Sequence, residues 1–207
     1  QALISQSGIT CYQQIDVTSP DAPAQLLELI DKLGGMDLYF HSSGIGWQNN
    51  SLNIEKEMKT LETNGLGFTR MVDTAFNWFA THHQNNSKAR IACITSIAGT
   101  KGLGAAPAYS ATKRFQNTYI DALEQLAHIQ KLPIRFTDIR PGFVATGLLN
   151  DGKHYPMLMH TEKVARHIVC ALEKKKRIVV IDWRYRILVA LWRLIPPFFW
   201  KRLPVRN

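Results

Sequence analysis

The chain has 207 residues, of which 45% are hydrophobic, and this length and composition suit one domain with a sizeable core. Its net charge of +9 is concentrated in residues 174–207, which contain ten basic residues and one acidic residue. Cys11, Cys93 and Cys170 lack C-x-x-C or metal-ligand spacing. We therefore predict no metal site and interpret these cysteines as buried small residues in a reducing compartment.

Predicted strands and helices alternate along the chain. The strands are predicted at Cys11–Val17, Asp37–Ser42, Arg90–Thr95, Ile134–Arg140 and Arg177–Ile181. The helices are predicted at Ala22–Leu33, at Ile54–Phe79 with a break near Asn64, at Ala108–Ile129 and at Glu162–Glu173. This alternation favours an α/β fold with a parallel sheet and right-handed crossovers.

The most informative motif is Tyr109-Ser-Ala-Thr-Lys113. Residues four apart lie on one face of a helix, so the Tyr109 hydroxyl and the Lys113 ammonium can share a pocket. A phenol has a pKa of about 10, and a neighbouring cation lowers it by favouring phenolate. The pair therefore predicts a proton donor or acceptor for acid–base catalysis.

Three other features fit a site beside this pair. Ser96 ends the predicted strand at residues 90–95 and precedes a glycine-rich loop. Asn64 interrupts a helical stretch, and Pro141-Gly142 directly follows the next strand. Ligands of open parallel sheets bind beyond the carboxyl ends of the strands, where Ser96 and Pro141 are expected.

In this order and spacing, these residues resemble the short-chain dehydrogenase/reductase family, from about residue 15 to residue 181. The resemblance implies a catalytic tetrad of Asn64, Ser96, Tyr109 and Lys113. It implies NADP or NAD as the cofactor, with NADP slightly favoured, and a homo-oligomer. It further implies that the Asn64 backbone holds a water that links Lys113 to solvent. The implied cofactor-binding residues are Asp16, Val17, Ser42, Ser43, Gly44, Tyr109, Lys113, Pro141, Gly142, Val144 and Thr146.

Two departures from the family pattern stand out. His41-Ser42-Ser43-Gly44 takes the place of an Asn-Asn-Ala-Gly turn, with only the glycine kept. The expected G-x-x-x-G-x-G turn, which would hold the pyrophosphate, is missing, and Ser43-Gly44-Ile45-Gly46 stands too late in the order to replace it. We therefore expect a Rossmann-like, doubly wound parallel sheet in three α/β/α layers, in a fragment that lacks the first two strands of the fold.

The C-terminal segment, residues 182–207, mixes basic and aromatic side chains. We therefore predict a boundary between this segment and a dehydrogenase domain at residues 1–181. Its apolar stretches are too short to span a bilayer of about 30 Å. One interpretation is an interfacial anchor on an anionic leaflet, which would make a cytoplasmic protein peripheral on the cytoplasmic membrane. The other is an arm that packs on its own core or on another subunit. Nothing in the sequence resembles a nucleic-acid module.

The resemblance implies an oxidoreductase that interconverts a carbonyl and a secondary alcohol. The loop at residues 147–160 is apolar, which favours an apolar or lipid-like substrate, although ordinary packing would explain it equally well. Two alternatives stay open. One is an epimerase or dehydratase relative that uses the same Tyr-Lys pair. The other is a catalytically silent fragment that acts as a membrane-surface or interaction module.

Overall fold

The computed structural model describes residues 11–82, 89–149 and 155–205. Its helices are α1 (Ala22–Lys32), α2 (Ile54–Leu61), α3 (Phe68–His82), α4 (Pro107–Ile129), α5 (Thr161–Glu173), α6 (Trp183–Leu194) and α7 (Pro197–Trp200). Its strands are β1 (Leu38–His41), β2 (Arg90–Ile94), β3 (Arg135–Arg140) and β4 (Ile178–Val180). A π-helical segment, Glu62–Gly67, joins α2 to α3, and short 3-10 turns cover Ile97–Thr100 and Gly147–Leu149.

The four strands form one parallel sheet in the order β1-β2-β3-β4. Side chains alternate across the central strand β2, so Ile91 and Cys93 face one layer while Ala92 faces the other. Helices cover both faces, and the predicted three-layer α/β/α architecture is confirmed.

Each face of the sheet has its own apolar core. Helices α3 and α4 cover one face with side chains that include Phe68, Phe76 and Ile120. Helices α5 and α6 cover the other face with side chains that include Ile168, Tyr185 and Val189. Helix α1 packs separately against α3. The core beneath α6 places part of the C-terminal segment within the folded body.

The predicted strand at Cys11–Val17 is wrong, because residues 11–16 are irregular and a turn begins at Val17. A strand needs a hydrogen-bonded neighbour, and none of the described strands pairs with this segment. Instead, Ile15 and Val17 pack against the α1 cluster. The break predicted near Asn64 takes the form of the π-helical segment.

The C-terminal segment forms two helices, α6 and α7, which the sequence reading did not anticipate. Within the described residues, no helix combines the length and the apolar character needed to cross a membrane. Cys93 is buried in β2 as expected, but Cys170 is exposed on α5, so its interpretation as a buried residue is wrong.

Candidate active site

The carboxyl ends of the parallel strands bring the predicted site residues to one edge of the sheet. Ser42, Ser43 and Gly44 follow β1, Ser96 lies two residues beyond β2, and Pro141-Gly142 follows β3. The backbone bond from Ile97 N–H to the Pro141 carbonyl, at 3.1 Å, ties the second of these ends to the third. Ligands of open α/β sheets bind at this edge, so the fold assembles a ligand site from separate loops.

Helix α4 supplies both residues of the Tyr-Lys pair. Pro107 occupies its first turn, where a missing N–H costs nothing, and Ala108 N–H donates to the Glu57 carboxylate at 2.9 Å. One turn apart on this helix, the Lys113 Nζ atom lies 5.7 Å from the centroid of the Tyr109 ring. The predicted pairing of phenol and ammonium in one pocket is present.

Lys113 is 4% exposed and is held by two hydrogen bonds. Its Nζ donates to the Ile94 carbonyl at 3.2 Å and to the Gln116 Oε1 at 3.0 Å. Burial lowers its pKa to about 8, although Cys93 and Asp138 act in the opposite direction. The ammonium is therefore charged at neutral pH but close to titration.

The Tyr109 phenol differs from the sequence-based expectation. Burial raises its pKa above the ordinary value, and a hydrogen bond with the Ser96 side chain only partly offsets this rise. The expected lowering of the pKa by Lys113 is wrong for this arrangement, because the cost of burying a phenolate outweighs the favourable interactions. The Tyr109 phenol is therefore neutral at pH 7.

Asn64 is fully buried in the π-helical segment. Its side-chain amide pairs with the backbone of Ile45 in both directions, accepting from the N–H at 2.9 Å and donating to the carbonyl at 2.7 Å. It also donates to Thr112 Oγ1 at 3.2 Å, on the helix that carries the Tyr-Lys pair. Asn64 thus fixes the loop after β1 against α4.

Gln116 connects Lys113 to the Asn64 backbone, the same backbone on which the resemblance implied a water. It is fully buried, and its Nε2 donates to the Asn64 carbonyl at 2.9 Å while its Oε1 accepts from Lys113. The side chain therefore links Lys113 directly to the Asn64 backbone. Sequence reasoning missed this residue, and the available signal was a polar side chain one turn beyond Lys113 on the buried face of α4.

Two glycines in the loop after β1 allow this close packing. A Cβ on Gly44 would lie 3.4 Å from both the Asn64 Oδ1 and the Lys113 Nζ atoms. A Cβ on Gly46 would lie 2.2 Å from the Tyr109 Cδ2 atom, a distance that no side chain tolerates. The small residues of this loop, Ser43-Gly44-Ile45-Gly46, therefore allow it to pack closely against the Tyr-Lys pair.

A buried polar network holds Ser96 beside α4. Its neighbour Thr95 donates to the Asp138 carboxylate at 2.5 Å, and Asn117 on α4 donates to both Thr95 and Asp138. Arg140 completes the network by an ion pair with Asp138. Because each member is satisfied, the network fixes the ends of β2 and β3 relative to α4.

The Pro141–Thr146 segment rests on a residue of the C-terminal segment. The fully buried Tyr185 ring lies directly under Gly142, where an added Cβ would come within 2.4 Å of three ring carbons. The Tyr185 hydroxyl accepts from Phe143 N–H at 3.1 Å and lies within hydrogen-bond distance of the Pro156 and Met157 carbonyls. Helix α6 thereby positions the predicted nicotinamide-binding segment.

The remaining predicted cofactor residues lie around this centre. Val17 contacts Gly67 in the π-helical segment, and Arg70 donates to its carbonyl at 3.2 Å. Asp16 is exposed, and hydrogen bonds from Thr18 hold its carboxyl pKa below the usual range. Ser42 and Ser43 are exposed at the rim, as is Thr146, whereas Val144 is half-buried.

His41, at the first position of the altered turn, is buried beneath this rim. Its Nδ1 lies 3.0 Å from the Tyr39 hydroxyl, and its ring meets the edge of Phe68. Burial, together with the nearby Lys113 charge, lowers its pKa to about 4, so the imidazole is neutral. His41 therefore adds no positive charge beside the Lys113 ammonium.

Comparison with known proteins agrees with this geometry. A family model described as short chain dehydrogenase matches residues 1–154. An uncharacterized oxidoreductase of Myxococcus xanthus is 25% identical over 93% of this chain and 76% of its own length. The dehydrogenase/reductase SDR family member 7B of Bos taurus is 27% identical over 97% of this chain and 65% of its own length.

Among solved structures, a short chain dehydrogenase from Burkholderia cenocepacia in complex with NADP superposes with a TM-score of 0.76. It shares 15% identity, and the match covers 93% of this chain and 78% of the other. The chain belongs to the short-chain dehydrogenase family, and the sequence-based assignment to this family of oxidoreductases is confirmed.

Proposed function

We propose that the protein is an NAD(P)-dependent oxidoreductase that interconverts a carbonyl and a secondary alcohol. The observation that carries the proposal is the position of the Tyr109 phenol, close to the Ser96 side chain and beside the buried Lys113 ammonium, at the carboxyl edge of a parallel sheet. This arrangement offers one oxygen atom both a proton donor and a second hydrogen-bond donor.

Each side chain has a distinct part in the proposed reaction. Tyr109, neutral at pH 7, gives its proton to the oxygen of the carbonyl during reduction and takes it back during oxidation. Ser96 hydrogen-bonds the same oxygen and stabilises the charge that develops there. Lys113 keeps a positive charge close to the phenol and favours the phenolate left behind. A bound nicotinamide supplies or accepts the hydride.

The residues on this edge fit the nicotinamide end of a dinucleotide. An ammonium has three donors, and two on Lys113 go to Ile94 and Gln116, which leaves the third for a ribose hydroxyl. The loop at Ser42–Gly44 and the Pro141–Thr146 segment border the same space. Asp16 and Val17 would contact the adenine end.

We propose NADP in preference to NAD, because the structurally similar enzyme from Burkholderia cenocepacia is complexed with NADP. The preference is tested by following the oxidation of NADPH and of NADH by the full-length protein with one carbonyl substrate. A lower KM for NADH at equal or higher kcat would reverse the preference and leave the reaction type intact.

We propose an apolar carbonyl substrate, since apolar side chains are exposed beside the phenol and next to the Pro141–Thr146 segment. Trp47 is 39% exposed directly after Gly46, which contacts the Tyr109 ring. Leu158 is 45% exposed in the chain that runs past Tyr185. Turnover of an aromatic or medium-chain ketone should exceed that of a short keto acid, whose charge these side chains would desolvate without a partner.

The proposed reaction is tested with Tyr109→Phe in the full-length protein. Loss of the proton donor should lower the rate of NADPH oxidation by about 100-fold to 10000-fold while NADPH still binds. Tyr119→Phe is the matched control, because Tyr119 lies on the same helix as Tyr109 but its hydroxyl donates to Asp73 on α3, away from the site. Wild-type turnover by the Tyr109 variant would refute the proposed function.

A further inference from the structure

Helix α6 has two apolar faces, and only one of them packs against other residues that the structure describes. Tyr185 and Val189 face the core and are almost completely buried. The large exposed apolar side chains of α6 are spaced by four, four and three residues, and therefore form one exposed stripe. This stripe consists of Trp183, Ile187, Leu191 and Leu194, which are 66%, 52%, 56% and 78% exposed.

Helix α7 exposes two further apolar rings and is firmly attached to the domain. Phe198 and Phe199 are 60% and 59% exposed. The neighbouring Trp200 is 8% exposed and donates from Nε1 to the Gly102 carbonyl at 2.8 Å, while the Lys101 Nζ donates to the Ile195 carbonyl at 2.9 Å. The exposed aromatic rings therefore project from a fixed support.

Basic side chains accompany this apolar surface. Arg186, Arg193, Lys201 and Arg202 are exposed, and none makes an ion pair with a carboxylate of the described residues. The Arg202 guanidinium lies 3.7 Å from the centroid of the Phe198 ring, so charge and apolar area are directly adjacent. We call the stripe, the two phenylalanines and these four cations the basic apolar surface.

We propose that the basic apolar surface docks on a bilayer that contains anionic lipids, with α6 lying in the interfacial plane. Folded domains rarely expose a contiguous apolar area of this kind without a partner. A face of tryptophan, phenylalanine and leucine flanked by arginine fits the boundary between acyl chains and anionic headgroups. A purely apolar partner would leave the cations unmatched.

The test measures binding of the full-length protein to two kinds of vesicle, phosphatidylcholine alone and phosphatidylcholine with phosphatidylserine. The wild type should bind the second kind, and added salt should weaken that binding. Arg193→Glu should weaken it by about fivefold or more, since one cation near such a surface is worth about that factor. Ile187→Glu should weaken it by about tenfold.

Ile129→Glu is the matched control, because Ile129 is 70% exposed at the end of α4, outside the basic apolar surface. The tests use point variants because deletion of residues after Ile181 would also remove Tyr185 from beneath Gly142. Equal binding of the wild type to vesicles with and without phosphatidylserine would overturn the proposal. A loss of binding in Ile129→Glu as large as that in Ile187→Glu would also overturn it. If the wild type does not bind vesicles but self-associates, and only Ile187→Glu abolishes that self-association, the proposal is also overturned. The surface would then bind a second copy of the chain.

We infer separately that Gln116 is a positioning residue for the proposed reaction, an inference that rests on the proposed function. It is fully buried and bridges the Lys113 ammonium and the Asn64 carbonyl by two hydrogen bonds. An amide holds the ammonium in place without adding charge. The groups that titrate or carry charge around Lys113 are Tyr109 on α4, His41 on β1, Cys93 on β2 and Asp138 on β3.

The test of Gln116 is the pH profile of kcat in the full-length protein. Gln116→Glu places a carboxylate beside the ammonium and favours its charged form. The part of the kcat profile that reflects titration of Lys113 should therefore shift to higher pH by about one to three pH units. Gln125→Glu, exposed on the same helix, should leave the profile unchanged. An unchanged profile in the Gln116 variant, with Tyr109→Phe inactive, would refute this inference and leave the proposed function standing.

Discussion

The site has two halves that are held in different ways. The half that contains Tyr109 and Lys113 is fixed by buried hydrogen bonds through Asn64, Gln116 and the network around Asp138. The half formed by Pro141–Thr146 is held by backbone hydrogen bonds to its neighbours and packs on the Tyr185 ring of helix α6, which follows it by about forty residues in the chain.

This difference indicates what each half can tolerate. Polar bonds in the first half set the charge and orientation of the reacting groups, so its substitutions should alter chemistry and pH dependence. Backbone hydrogen bonds and the fit of Gly142 on the Tyr185 ring hold the second half, so its substitutions should alter stability and cofactor affinity. The domain boundary that composition predicts at residue 181 lies between Tyr185 and the Pro141–Thr146 segment that Tyr185 supports.

The largest effect is expected from the buried charge in the first half. The pKa of Lys113 is about 8 in the folded protein and 10.5 for an ordinary lysine side chain, so the unfolded chain binds this proton more tightly between these pH values. The free energy of unfolding should therefore rise with pH in that window, by up to about 3 kcal/mol. Urea unfolding of the wild type and of Lys113→Met from pH 7 to 10.5 measures how much of this rise is due to Lys113. The same dependence of the free energy of unfolding on pH in both proteins would contradict the prediction.

Gly46→Ala should disturb the phenol without disrupting the core. The new Cβ would overlap the Tyr109 ring, and the resulting displacement should lower kcat by about 100-fold. The free energy of unfolding should change much less, because Tyr109 is only half-buried. Gly104→Ala is the control, since its Cβ would meet open space. Equal kcat values for the two variants would show that Tyr109 position does not limit turnover.

Gly142→Ala should act mainly on stability. Its Cβ would overlap the Tyr185 ring, and relieving that overlap requires a shift of α6 or of the turn, at a cost of about 2 kcal/mol. Thermal unfolding with and without NADPH should show a lower melting temperature and a smaller stabilisation by the cofactor. Gly147→Ala, whose Cβ would meet nothing within 4 Å, should behave as wild type.

Tyr185→Phe is expected to have the smallest effect, because it keeps the ring under Gly142. Only the hydroxyl contacts with Phe143 and the carbonyls of Pro156 and Met157 are lost, which should cost about 1 kcal/mol. The KM for NADPH should rise more than kcat falls. Tyr12→Phe, on an exposed ring, is the control, and a kcat effect in Tyr185→Phe without a KM effect would place this contact in the chemistry.

Much of the fold was predictable because hydrophobic runs and turn residues are local signals. The strands at β1, β2, β3 and β4 all lie within predicted segments, and the break near Asn64 corresponds to the π-helical segment. The predicted strand at residues 11–17 failed, because strand formation depends on a neighbour that a local pattern does not reveal. Helix α6 was missed, because its alternating charges and aromatic residues favoured an interfacial reading.

The sequence by itself determined the family, the parallel α/β architecture and the one-turn spacing of Tyr109 and Lys113, since helical periodicity and residue order are written along the chain. Only the tertiary structure decided the state of the site. Burial raised the pKa of Tyr109 and lowered that of Lys113, and packing placed Gln116 between Lys113 and the Asn64 backbone. Burial and long-range contacts depend on residues far apart in the chain, which is why Tyr185 emerged as the support of Gly142 only in three dimensions.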